Sequence, residues 1–127
     1  EHPLTGVGLD NFLYQYRTRY VLPAAWQELD LSHPHNLVLD FWVRLGVLGV
    51  AVLIWLEVAF FRRGLAVYKE TAFPSMRALA AGVMASMVAA LAHGLIDQGF
   101  FLVDLAFVFM LTLGLVSPLE FSEDALS

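Results

Sequence analysis

The stretch LGVLGVAVLIWLEVAFF, Leu45 to Phe61, carries one charged residue, Glu57, and no polar face. A run this apolar approaches the roughly 20 residues that cross a hydrocarbon core of about 30 Å. Its helix begins upstream, near Asn36, because Asp40 and Arg44 stand four apart as a helical ion pair. Two further runs follow. Ala78 to Ile96 has no Asp, Glu, Lys or Arg and holds His93 near its end; Phe100 to Val116 holds one acid, Asp104, close to its start. The pattern predicts spans over about 41–61, 78–96 and 100–116, an all-α integral membrane fold. A soluble helical bundle would need polar faces that these runs lack.

Composition agrees. Hydrophobic residues make up 59%, charged residues 15%, and the mean hydropathy is +0.69, against about 45–50% apolar and about 25% charged for an ordinary soluble domain. A net charge of -5 with scattered arginines offers no basic patch, so no nucleic acid is expected as a partner. There is no cysteine, which excludes disulfides, thiolate catalysis and thiolate metal sites.

Arg62, Arg63, Lys69 and Arg77 lie between the first two spans, whereas Asp97-Gln98-Gly99, between the second and third, has no basic residue. The positive-inside rule puts the 62–77 connection in the cytoplasm. Residues 1–40 then form an extracytoplasmic loop, 41–117 a three-span membrane domain, and 118–127 an acidic cytoplasmic tail. The chain opens on Glu1 with its first 40 residues outside, and reads as the C-terminal part of a larger polytopic protein whose upstream transmembrane helices are packing partners. Gly82, Ser86, Ala90 and Gly94, with Ala81, Ala85 and Ala89 alongside, predict a small-residue face in the second span that lets helices approach closely.

The external segment is expected to be structured, with short helices. Gly6 and Gly8 supply a tight turn, followed by Phe12, Leu13, Tyr14, Tyr16 and Tyr20 interleaved with Arg17 and Arg19. A nucleotide-loop reading fails, because no strand precedes the glycines and no third glycine follows at the fingerprint spacing. The aromatics suit a membrane interface better than ligand stacking. Arg17 and Arg19 are either a solvated or headgroup-contacting pair or phosphate ligands.

Ser32-His33-Pro34-His35-Asn36 places titratable groups at the mouth of the first span, where a membrane enzyme would keep its chemistry. His93 and Asp97, four apart, would share a helix face at the same membrane level, the carboxylate orienting an imidazole for general-base work; Asp104 is close enough to join them. Two readings of His93 stand, base and helix-to-helix hydrogen bond. His33, His35, His93, Asp97 and Asp104 would suffice chemically for zinc, but the spacing matches no metal signature and no metal is expected. Nothing around Ser32 resembles a nucleophile elbow.

The order Gly6-x-Gly8-x-x-x-Phe12, His33-Pro34-His35-Asn36, Leu45-Gly46-Val47-Leu48-Gly49 and His93-Gly94-Leu95-Ile96-Asp97 resembles the C-terminal half of the O-antigen ligase and polymerase superfamily, over Pro3 to about Val116. The resemblance implies a GT-C-like polytopic bundle in the bacterial inner membrane and a metal-independent glycosyltransferase needing no cofactor. Such an enzyme takes a glycan from undecaprenyl pyrophosphate and joins it to lipid A-core, another glycan or a protein hydroxyl on the periplasmic face. It implies that His35 assists the attacking hydroxyl, Asn36 positions the loop or base, and His33 is secondary, with His93 and Asp97 supporting. Arg17 and Arg19 would have an auxiliary phosphate role, the principal pyrophosphate arginines belonging to upstream segments, so this segment alone is expected to be inactive. Two alternatives are a transporter or flippase segment, with His93, Asp97 and Asp104 on a proton path, and a non-catalytic family member. Polar groups at helix ends rather than mid-bilayer favour the external-site enzyme.

Overall fold

The computed structural model describes residues 2–9, 11–21, 24, 31, 33–97 and 106–114. Its regular elements are all helical: α1 (Phe12–Gln15), a π-helical turn (Tyr16–Tyr20), α2 (Leu37–Glu70), α3 (Pro74–Gly94) and a stretch over 106–114. No strand occurs among the described residues, and the fold is all-α. The 34-residue α2 and the 21-residue α3 are long and apolar enough to cross a membrane; at 1.5 Å per residue, α3 alone spans about 32 Å.

The helices extend into the expected 62–77 connection, and α3 ends early. Helix α2 starts at Leu37, beside Asn36 as the Asp40–Arg44 spacing indicates, and runs past 61 to Glu70, because Arg62–Glu70 contains mostly good helix formers and no proline. The expected 62–77 connection therefore shrinks to Thr71-Ala72-Phe73. Pro74 then opens α3 at the first helical position, where its missing N–H is not needed. Helix α3 stops at Gly94, short of Ile96. Only 106–114 of the third run is described; Asp104 and the 118–127 tail lie outside the described residues.

The chain divides into two compact units, Glu1–Ile54 with Gly94–Gln98, and Trp55–His93 with Gly99–Ser127. In the second, α2 and α3 form a hairpin around buried Val67 and Ala80, with Met76 packed against them. Its corner is tied by one buried side chain. Thr71 Oγ1 accepts the Phe73 N–H at 3.2 Å, and the Thr71 carbonyl accepts Arg77 Nε at 3.0 Å. Gly64 permits the close approach of the two helices, since a Cβ there would lie 2.8 Å from Met84 Sδ. The buried face of α3 is Ala80, Val83 and Met87, at helical spacing. The small-residue row divides: nothing lies within 4 Å of a Cβ on Gly82, and Ala85, Ala89 and Ala90 are exposed, whereas Gly94 at its end is buried with Leu37 Cβ 3.1 Å from a Cβ there.

The first unit is built on a broken helix. Gly46 has φ 71° and ψ -166°, a combination essentially restricted to glycine. The break frees backbone groups that an apolar helix cannot leave unsatisfied, and residues 3–8 satisfy them. Val7 N–H donates to the Val43 carbonyl at 2.7 Å, Gly8 N–H to the Arg44 carbonyl at 3.0 Å, and Val47 N–H to the Pro3 carbonyl at 3.1 Å. The approach is so close that a Cβ on Gly6, itself at φ 68°, would lie 2.5 Å from the Arg44 carbonyl. Gly6 and Gly46, far apart in sequence, are two halves of one joint.

The joint is braced by the pair expected at the start of the helix. Arg44 Nε donates to Asp40 Oδ1 at 2.7 Å with both side chains buried, Asp40 completely. Arg44 Nη1 also donates to the Leu9 carbonyl, so one guanidinium ties the helix to the loop that covers its break.

Candidate active site

Asn36 organises the site. It directly precedes α2, and its Oδ1 accepts the Leu39 N–H at 3.1 Å, the N-cap bond that a helix start requires. Its Nδ2 donates to the Leu95 carbonyl at 3.1 Å. The same amide thus caps one helix and holds the segment that follows another. Gly94 makes room for this junction, because a Cβ there would press to 3.1 Å from Leu37 Cβ.

With 94–97 held against the start of α2, Asp97 reaches His35. Its Oδ1 lies 2.8 Å from His35 Nδ1, and the two side chains are 56% and 58% exposed, so the imidazole is paired yet open to a substrate. A carboxylate on Nδ1 fixes that nitrogen as the protonated one and leaves Nε2 as the acceptor of the neutral ring. His33 stands edge-on to His35, ring centroids 5.2 Å apart at 72°. Its Nδ1 is buried and has no hydrogen-bond partner among the described residues.

The partner of Asp97 differs from the one spacing predicted. The reading of His93 and Asp97 as one helix face assumed a helix through residue 97; α3 ends at Gly94, and a turn at Leu95 and Ile96 intervenes. His93 lies exposed in the last turn of α3 and is grouped with the second unit. Arg17 and Arg19 are exposed on the Tyr16–Tyr20 turn. Ser32 lies outside the described residues. No three of the described histidine and acidic side chains are grouped to hold a metal ion. What sequence reasoning missed is the double role of Asn36. The signal was present, since an asparagine directly before an apolar helix is an N-cap signature, but its second partner, a backbone carbonyl 59 residues away, leaves no trace in a side-chain pattern.

Residues 1–54 match the family model for O-antigen ligase, and the first unit runs over Glu1–Ile54 together with Gly94–Gln98. The chain is 34% identical over 79 residues to an O-antigen ligase of Salmonella typhimurium, a match covering 61% of this chain and 18% of the relative. The chain thus spans less than a fifth of the curated relative it matches. No solved structure matches it. Two helices apolar and long enough to cross a bilayer fit a bacterial membrane protein. The similarity to O-antigen ligase thus covers residues 1–54, which hold the Gly6–Gly46 joint and the histidine pair.

Proposed function

We propose that this chain supplies the general base of a membrane glycosyltransferase of the O-antigen ligase type. The enzyme moves a glycan from an undecaprenyl pyrophosphate carrier to a hydroxyl acceptor, such as lipid A-core, on the periplasmic face of the inner membrane. The observation that carries this reading is the exposed His35–Asp97 pair inside the region held by the family-matched segment. His35 Nε2 takes the proton of the acceptor hydroxyl as its oxygen bonds to the anomeric carbon. The bond from that carbon to the carrier phosphate breaks, and the lipid pyrophosphate leaves with the electron pair. Asp97 stabilises the imidazolium so formed and holds the ring in place; Asn36 fixes both segments. Arg17 and Arg19 are auxiliary phosphate contacts, and the main cationic groups for the leaving pyrophosphate come from other segments of the parent protein.

The test uses the full-length protein carrying this chain, purified with an undecaprenyl pyrophosphate glycan and candidate acceptors. General-base assistance contributes about 10²–10⁴-fold, so His35→Ala, with unchanged membrane insertion, is expected to lower transfer at least about a hundredfold. Normal transfer by that variant makes His35 structural, and absence of transfer by the wild type with every acceptor returns the transporter reading.

A further inference from the structure

Glu57 is the one charged residue of the Leu45–Phe61 run, and the transfer reaction does not use it. It belongs to the line Glu57, Phe60, Gly64, Val67 and Thr71, whose alternating steps of three and four residues keep them on one side of α2. The last four are buried, and α3 is what that side meets: Val67 packs with Ala80, and a Cβ on Gly64 would lie 2.8 Å from Met84 Sδ. Carried two turns back along α2, the same register puts Glu57 level with Ala90 and Leu91 of α3. Both carboxyl oxygens of Glu57 are buried, and neither has a hydrogen-bond partner among the described residues.

The neighbouring elements bring no charge to it. Between Arg77 and His93, α3 has no acidic or basic side chain, and its one hydroxyl there, Ser86, is spent on the Val83 carbonyl at 2.8 Å. Arg77 is held at the corner by the Thr71 carbonyl, and His93 is exposed in the last turn of α3. On α2 itself Arg62 and Arg63 are exposed and stand about 140° and about 120° around the helix from Glu57. Tyr68, Lys69 and Glu70, also exposed, lie three turns or more along it. Residues 106–114 contain no titratable group.

A carboxylate buried among apolar side chains without a partner is too costly to stay ionised and takes up a proton instead. We propose that Glu57 is a proton-binding site inside the α2–α3 hairpin. Closing the seam moves one proton from water onto the Glu57 carboxylate, and the closed seam holds the neutral carboxylic acid; one O–H bond forms and nothing leaves. The inference is independent of glycan transfer and of the His35–Asp97 pair.

The test uses the full-length protein carrying this chain, reconstituted in vesicles at neutral pH. A neutral carboxylic acid has an infrared carbonyl stretch that an ionised carboxylate lacks, and the band shifts when its proton is exchanged for deuterium. The wild-type spectrum minus that of Glu57→Gln is expected to show this band and its shift. Because the amide is an uncharged isostere of the acid, Glu57→Gln is expected to melt within about 4 °C of wild type. If it fails to insert, the difference is taken against Glu57→Leu, and the same band decides.

A second measurement needs no variant. With dicyclohexylcarbodiimide the acid proton passes to one carbodiimide nitrogen as the carboxyl oxygen bonds to the central carbon, and the adduct rearranges to a stable N-acylurea with no leaving group. Mass spectrometry is expected to place that adduct on Glu57. Labelling by a water-soluble carbodiimide should be at least about tenfold weaker, since each buried CH₂ favours the apolar reagent by about fourfold. Three results overturn the proposal. Absence of the acid band means that the carboxylate is ionised against a group from another segment of the parent protein. A melting temperature far below wild type for Glu57→Gln, the mark of a cation left unpaired, means the same. Equal labelling by the two carbodiimides means that the carboxyl is open to water.

Discussion

The two ends of α2 solve the same problem in opposite ways. Toward Glu70 the helix is regular and meets α3 across apolar contacts, Val67 on Ala80 with Met76 beside them. Toward Asn36 it is broken at Gly46, covered by residues 3–8, and braced by a buried ion pair. The regular end needs only apolar side chains at helical spacing, which many sequences supply. The broken end needs glycine at two positions and a satisfied partner for every freed backbone group. Departures from regular helix geometry concentrate where membrane proteins keep function, and the histidine pair lies in the unit that contains the break.

This contrast can be broken experimentally. The largest effect on stability is expected from the brace. Removing one partner of a buried ion pair costs about 3–5 kcal/mol, so Arg44→Met should destabilise the full-length protein by that order in a thermal or denaturant assay in detergent. Asp40→Leu combined with Arg44→Met should recover part of the loss, because no uncompensated charge is left buried. If Arg44→Met alone is as stable as wild type, the ion pair is not what holds the joint. Gly46→Ala comes next. It forces an alanine into a glycine-only backbone region and a Cβ against the Leu4 carbonyl, at a cost of about 1–3 kcal/mol from the backbone alone. The smallest effect has the opposite sign. Gly82 lies inside regular α3 with open space around its Cβ position, so Gly82→Ala should stabilise the helix by about 0.5–1 kcal/mol. A loss of stability there would mean that the small-residue row is a packed face after all.

The regular half of the molecule was legible because its determinants are periodic. Apolar runs indicated an all-α protein, and Asp40 with Arg44 located the start of α2, although nothing in their spacing revealed that both would be buried. The inner helix ends were misjudged because hydropathy falls at Arg62 while helix propensity does not. The joint was half legible: Gly6-x-Gly8 and the glycines at 46 and 49 were visible as motifs, but their meeting depends on backbone hydrogen bonds, which the side chains do not encode. The site shows the same division. His35 and Asp97 were both candidates by residue type. Their pairing needed the turn after Gly94 and the Asn36 link to Leu95, contacts some 60 residues apart that no local spacing rule reaches.

In the proposed site His35 and Asp97 act as one unit, the carboxylate working only through the imidazole. A double-mutant cycle on glycan transfer by the full-length protein tests it most directly, comparing wild type, His35→Ala, Asp97→Asn and the double variant at matched expression and insertion. Groups that act as a unit are strongly non-additive. The prediction is that Asp97→Asn alone slows transfer at least about tenfold, while the double variant is no slower than His35→Ala. If the two losses multiply in the double variant, Asp97 contributes independently of His35, and the pair seen in the structure is not the catalytic unit.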